Sequence, residues 1–199
     1  MFALVKQQNL RTMKKAVIFT LGILALVLTP KAYGQTTNNV DSDEVTLNVR
    51  LYPIQTIVVN SSQKIVNLDY QTTDDYANGV ALDQADHLNI YSTGGFQISA
   101  KSSTTTLESA HQDVPENIDA SDIIITPSLG TSGLSGTNFQ TISLTNQDQP
   151  IISNPTGGVN KTFNIKYEAA GADAYVTKYF NVENPTTYTT TVVYTLEAQ

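Results

Sequence analysis

Strand-length runs with a two-residue apolar period recur along this chain at roughly ten-residue spacing, the rhythm of an all-β sandwich or barrel. No helical period of comparable length interrupts them. A two-residue period gives each run one apolar and one polar face, and such faces are covered by packing sheet on sheet or closing a sheet on itself. From Glu44 to Leu51, Val45, Leu47, Val49 and Leu51 alternate with Thr46, Asn48 and Arg50, which predicts a half-buried strand. Pro53 ends it, and Ile54 to Val59 is a second run. Asn60-Ser61-Ser62 makes a turn before a third run, Gln63 to Tyr70.

Thr72 to Gly79 reads as a loop or one short helical turn, stopped at Asn78-Gly79. His87 to Ser92 and Phe96 to Lys101 flank Gly94-Gly95, a pattern that predicts a hairpin. Ser102 to Ala120 is polar and irregular, and Ile123-Ile124-Ile125 predicts a buried strand stopped by Pro127. After a flexible stretch from Gly130 to Asn138, strands are predicted at Phe139–Leu144, Pro150–Ser153 and Thr162–Glu168. Tyr175 to Phe180 suits either a strand or a short helix. The last run, Tyr188 to Leu196, alternates through Thr190, Val192 and Tyr194.

The start of the chain has a different character. Met13-Lys14-Lys15, the 13-residue apolar run Ala16 to Leu28, and Ala32-Tyr33-Gly34 form the three-part layout of a secretory signal. The run is shorter than the ~20 residues of a spanning helix. Residues 1–12 read as an upstream extension of the gene model, and 1–34 as the signal peptide. The expected location is therefore exported: periplasm, cell surface or extracellular. Residues 35–43 are polar and read as a mobile arm, and 44–199 as a single β-sandwich domain. No second apolar segment is long enough to span a membrane after the signal. The chain has no cysteine, so it uses no disulfide and offers no thiol for a lipid anchor.

All 18 acidic residues follow Gly34, against six basic ones there, a net charge of −12. That field repels phosphate backbones and anionic lipid, which argues against a nucleic-acid partner.

Catalytic constellations are not legible. His87 and His111 are the two histidines, and both read as ordinary surface residues. No G-x-S-x-G elbow and no thiol nucleophile is present. Asp74-Asp75, Asp83 and Asp86 cluster in sequence but lack the spacing of a calcium loop. Gly94-Gly95 and Gly157-Gly158 lack the Lys-Ser/Thr of a phosphate loop, and no tryptophan lines a sugar cleft. No catalytic, cofactor-binding or metal residue is assigned, no cofactor is expected, and the chain reads as a non-enzyme. Asn60-Ser61-Ser62 and Asn160-Lys161-Thr162 match the glycosylation pattern; in a bacterial chain, which the signal suggests, that match reads as chance.

Asn184-Pro185-Thr186-Thr187-Tyr188 through Tyr194-Thr195-Leu196 resembles the closing strand of uncharacterised secreted β-sandwich proteins of the Bacteroidota. Ser92-Thr93-Gly94-Gly95-Phe96 and Thr156 to Phe163 fit the same group. More distantly, Tyr194-Thr195-Leu196 is similar to the final motif of WxL cell-wall-binding domains, with tyrosine where that family has tryptophan and no second copy of the motif. The order of signal, arm, sandwich and alternating terminal strand is similar to that of fimbrial subunits. These resemblances imply an immunoglobulin-like antiparallel β-sandwich.

Both likenesses point to the same physical property: alternating strands near the ends of the chain. Val45, Leu47 and Val49, with Tyr188, Val192, Tyr194 and Leu196, are the candidate strand-exchange edges. The alternative is that both strands pair within their own domain. The expected function is a secreted, non-enzymatic bacterial surface protein of fimbrial or adhesive type, partnered by itself or other envelope subunits. The alternative is a carbohydrate- or peptidoglycan-binding module that meets envelope glycan through Tyr52, Tyr76 and Tyr91.

Overall fold

The structure, a computed structural model, describes residues 40–199. The expected signal segment, and the arm as far as residue 39, lie outside the described residues. Two compact units are distinguished, Met1–Asn48 and Val49–Gln199. Of the first, residues 40–48 are described; they are exposed and carry no regular structure.

The second unit is an antiparallel β-sandwich. Its strands in chain order are β1 (Gln55–Val59), β2 (Val80–Ser92), β3 (Phe96–Ser102), β4 (Thr106–Glu108), β5 (Asn117–Asp119), β6 (Ile123–Leu129), β7 (Asn138–Phe139), β8 (Ile142–Ser143), β9 (Gln149–Asn154), β10 (Gly158–Ala169) and β11 (Val192–Ala198). One sheet has the order β1-β2-β10-β6-β8 and the other β11-β3-β9-β7; β4 and β5 form a small ribbon. One short helix, α1 (Thr73–Asn78), opens on a capping box in which Thr72 and Asp75 satisfy each other's backbone N–H groups. Among the described residues no helix is long and apolar enough to cross a membrane.

Period-two alternation builds the core. Leu88 and Ile90 of β2, Phe96, Ile98 and Ala100 of β3, and Phe163 and Ile165 of β10 are fully buried between the sheets. The Phe163 ring lies against both Phe96 and Phe139, with centroids 6.2 Å away in each case.

Several expectations change. Glu44 to Leu51 forms no strand: among the described strands none pairs with it. Alternation equips a segment to be a strand, but the ladder requires a neighbouring edge, and here none is supplied. Gln63 to Tyr70 likewise enters no ladder, although Val66, Leu68 and Tyr70 pack on the core.

The expected hairpin at Gly94-Gly95 is a corner instead. β2 pairs with β1 and β10, whereas β3 pairs with β11 and β9, so the chain changes sheets there. The same strand-turn-strand pattern serves both geometries. What selects the corner is close backbone approach: a Cβ on Gly95 would lie 2.9 Å from the Pro155 carbonyl oxygen, and one on Gly157 only 2.1 Å from that of Ser92.

β6 runs through Pro127 rather than stopping before it. β8 pairs only with Ile124 and Ile125, so on that side Pro127 has no neighbour to which a missing N–H would matter. Residues 175–177 lie in a turn and 178–180 carry no regular structure, so the segment is neither strand nor helix.

Candidate functional site

The two sides of the sandwich end differently. On one side the chain steps from β7 in one sheet to β8 in the other. Gln140 N–H donates to the Ile151 carbonyl and Leu144 N–H to that of Ile123, so this passage fastens both sheets. On the other side β1 and β11 close their own sheets, lie near each other and do not pair. Each keeps one row of backbone groups unpaired by any described strand, which is what a template for an added strand requires.

The predicted edge residues fall into two groups on this framework. Val192, Tyr194 and Leu196 lie in β11, on the face turned toward the core, and all three are half-buried. Their counterparts on β3, the strand alongside, are fully buried. Tyr188 lies before the strand, and its hydroxyl donates to the Lys178 carbonyl at 2.7 Å. β11 is therefore Val192–Ala198, shifted toward the C-terminus from the expected run.

Val45, Leu47 and Val49 belong to no sheet. With Leu51 they are 91%, 86%, 78% and 89% exposed. Ile54 is the first anchored residue: its N–H donates to Thr93 Oγ1 at 2.9 Å and its carbonyl accepts from Thr93 N–H. The polar arm expected at 35–43 thus continues, among the described residues, into an exposed apolar row.

A polar network behind β11 was not legible in the sequence. His87, expected on the surface, is 2% exposed. The cause is a bulge in β2 at Asp86, which has φ 49°. Its N–H donates to Asn164 Oδ1, and its carboxylate accepts from Thr131 N–H and Oγ1. Hydrogen bonds from Thr131 and the Thr162 hydroxyl hold the Asp86 carboxyl below the usual carboxylate range. The bulge breaks the two-residue period, so His87 and Leu88 are both buried.

His87 Nδ1 stands 2.9 Å from Gln63 Oε1, and Gln63 Nε2 donates to the Ala85 carbonyl. That second bond fixes which end of the amide is which, so Nδ1 carries the histidine proton. Nε2 then accepts from the Tyr167 hydroxyl at 2.9 Å, and Tyr167 accepts from the Tyr194 hydroxyl at 2.6 Å. The chain of bonds has one direction and joins β10 and β2 of one sheet to β11 of the other. Burial pushes the Tyr167 hydroxyl up to about 12 and Tyr194 well above its ordinary value, so both stay neutral.

Burial pushes the His87 imidazole down. The unfolded chain binds a proton near pH 6.5 that the folded chain resists binding. The stability His87 contributes is therefore full above about pH 6.5 and lost as the pH falls from there toward the folded value. The expected result is a urea midpoint that decreases from pH 7.5 to pH 5, with a smaller decrease in a His87→Gln chain. Equal slopes in the two chains would remove His87 as the cause.

The other candidates are dispersed. Asp75 caps α1, Asp74 accepts from Asn78, Asp83 lies in β2, and Asp86 forms the bulge. Among the described residues no group of histidine and carboxylate side chains is arranged to hold a metal ion. His111 accepts from Asp113 N–H in a loop. Tyr52 is exposed before β1, whereas Tyr76 in α1 and Tyr91 in β2 are half-buried. No protein-family model matches the chain, and no curated protein matches it.

Proposed function

We propose that the chain is an exported, non-enzymatic bacterial surface protein, a structural subunit of fimbrial or adhesive type that joins its neighbours by strand addition. One observation carries this reading. Val45, Leu47, Val49 and Leu51 hold the pattern of a buried strand face, yet more than three-quarters of each is exposed. Full burial of one such side chain is worth about 1.5–3 kcal/mol, so four in register supply a strong drive toward a partner edge. The strand without an edge and the edges without a strand occur in one molecule.

The test is the mass distribution, by light scattering, of the chain from Gln35 beside one that starts at Leu51. The expected result is ladders or polymers in the first and a folded monomer in the second. Monomers in both, at millimolar concentration, would overturn the reading.

A further inference from the structure

We propose that the Arg50–Leu51 peptide bond is a processing site, cut by an endopeptidase whose specificity pocket holds a carboxylate for the arginine side chain. The inference goes beyond the subunit reading and does not rest on it. Arg50 is the one arginine after Gly34, and it is exposed. Its guanidinium presents the planar fork that a carboxylate grips at two points.

An endopeptidase takes its substrate as an extended strand, through main-chain hydrogen bonds on both sides of the bond and a pocket for the side chain before it. The substrate must therefore offer free backbone. From Val45 to Pro53 no backbone group bonds to another described residue, and no side chain of the stretch belongs to the core. Leu51 follows Arg50, so the leaving nitrogen carries an N–H and no proline ring obstructs it. The bond also lies just past the boundary between the two compact units, at Asn48 and Val49.

The five lysines after Gly34 offer no such stretch. Lys101 lies in β3, between β11 and β9, and Lys161 and Lys166 lie in β10, between β2 and β6. The Lys178 N–H donates to the Tyr175 carbonyl, its carbonyl accepts from the Tyr188 hydroxyl, and its ammonium stands 2.6 Å from Glu116. Lys64 is exposed, but Gln63 before it bonds to His87 and the Ala85 carbonyl, and Val66 after it packs on the core. Cutting at a lysine therefore requires an opened chain, a state populated at about 10⁻³ or less. Free backbone, rather than exposed charge, singles out Arg50.

In the cut, water adds across the bond. Its hydroxyl joins the Arg50 carbonyl carbon, the carbon–nitrogen bond breaks, and a proton passes to the Leu51 nitrogen. Val45, Leu47 and Val49 leave with the arm. The sandwich keeps every core residue, and Ile54 keeps its bonds to Thr93. Processing here removes the exposed apolar row while the fold stays intact.

Trypsin, which accepts arginine and lysine alike, is the probe. The native chain from Gln35 is sampled over time by mass and N-terminal sequence. The expected first product is Leu51–Gln199, formed about a thousandfold faster than any cut at a lysine, with circular dichroism and urea midpoint unchanged. Arg50→Gln abolishes this product, and Lys64→Gln leaves it unaltered. In the chain recovered from the cells that make it, a fraction beginning at Leu51 is expected.

A first cut at a lysine, an Arg50 bond that lasts as long as the lysine bonds, a product that unfolds, or recovered chain with no fraction beginning at Leu51 would overturn this inference. None of those results bears on the subunit reading. Monomers in light scattering would overturn that reading and leave the processing site standing.

Discussion

Phe163→Ala is expected to lower the stability of the sandwich by about 3–5 kcal/mol, the cost of removing a fully enclosed aromatic ring. Phe163 has no exposed surface and stands where the two sheets meet. Its ring packs between Phe96 of β3 and Phe139 of β7, so the contact spans both sheets and both neighbours lose a face at once. β10 pairs with β2 on one side and β6 on the other, which leaves the backbone little freedom to collapse into the cavity. Urea unfolding followed by circular dichroism measures the effect. Phe163→Leu, which keeps most of the volume, should cost less than half as much. A Phe163→Ala chain within 1 kcal/mol of the parent would show that the two sheets do not share this core.

Tyr167→Phe is expected to cost about 2–4 kcal/mol although it removes a single oxygen. That oxygen donates to His87 and accepts from Tyr194, so its loss leaves one buried acceptor and one buried donor unpaired. Each orphaned group costs about 1–3 kcal/mol, whereas a satisfied hydrogen bond contributes only about 1 kcal/mol net. Tyr194→Phe provides the control. Tyr194 is the terminal donor, and Tyr167 can still donate to His87 without it, so about 1 kcal/mol is expected. Equal costs for the two variants would show that the bonds do not form the directed chain that the Gln63 amide imposes. Tyr194 ties β11 to the opposite sheet.

Much of the fold was legible from period and punctuation. Leu88, Ile90, Phe163 and Ile165 lie inward because alternation on a strand assigns a face, and a face must be covered. The expected β1 and β3 appear within a residue or two of their predicted bounds. The candidate edges were legible in part. Val192, Tyr194 and Leu196 do sit on an edge strand, but which side of the sandwich stays open depends on the passage from β7 to β8, and those strands are only two residues long. His87 was misplaced because β2 sets three residues, Ala85 to His87, against the single Asn164 of β10, and a period read along the chain does not register that insertion.

Local chemistry in the sequence determined that this protein builds strands and where most of them turn. Side-chain period and glycine placement are properties of a few neighbouring residues, and so they survive without a fold. Only the tertiary structure decided that Gly94-Gly95 is a corner and that His87, Tyr167 and Tyr194 meet. It also decided that the cleanest alternating segment of all, Val45 to Leu51, has no partner among the described strands. Pairing is a relation between segments distant in the chain, and a strand's own residues do not encode which edge, or whose, it will meet.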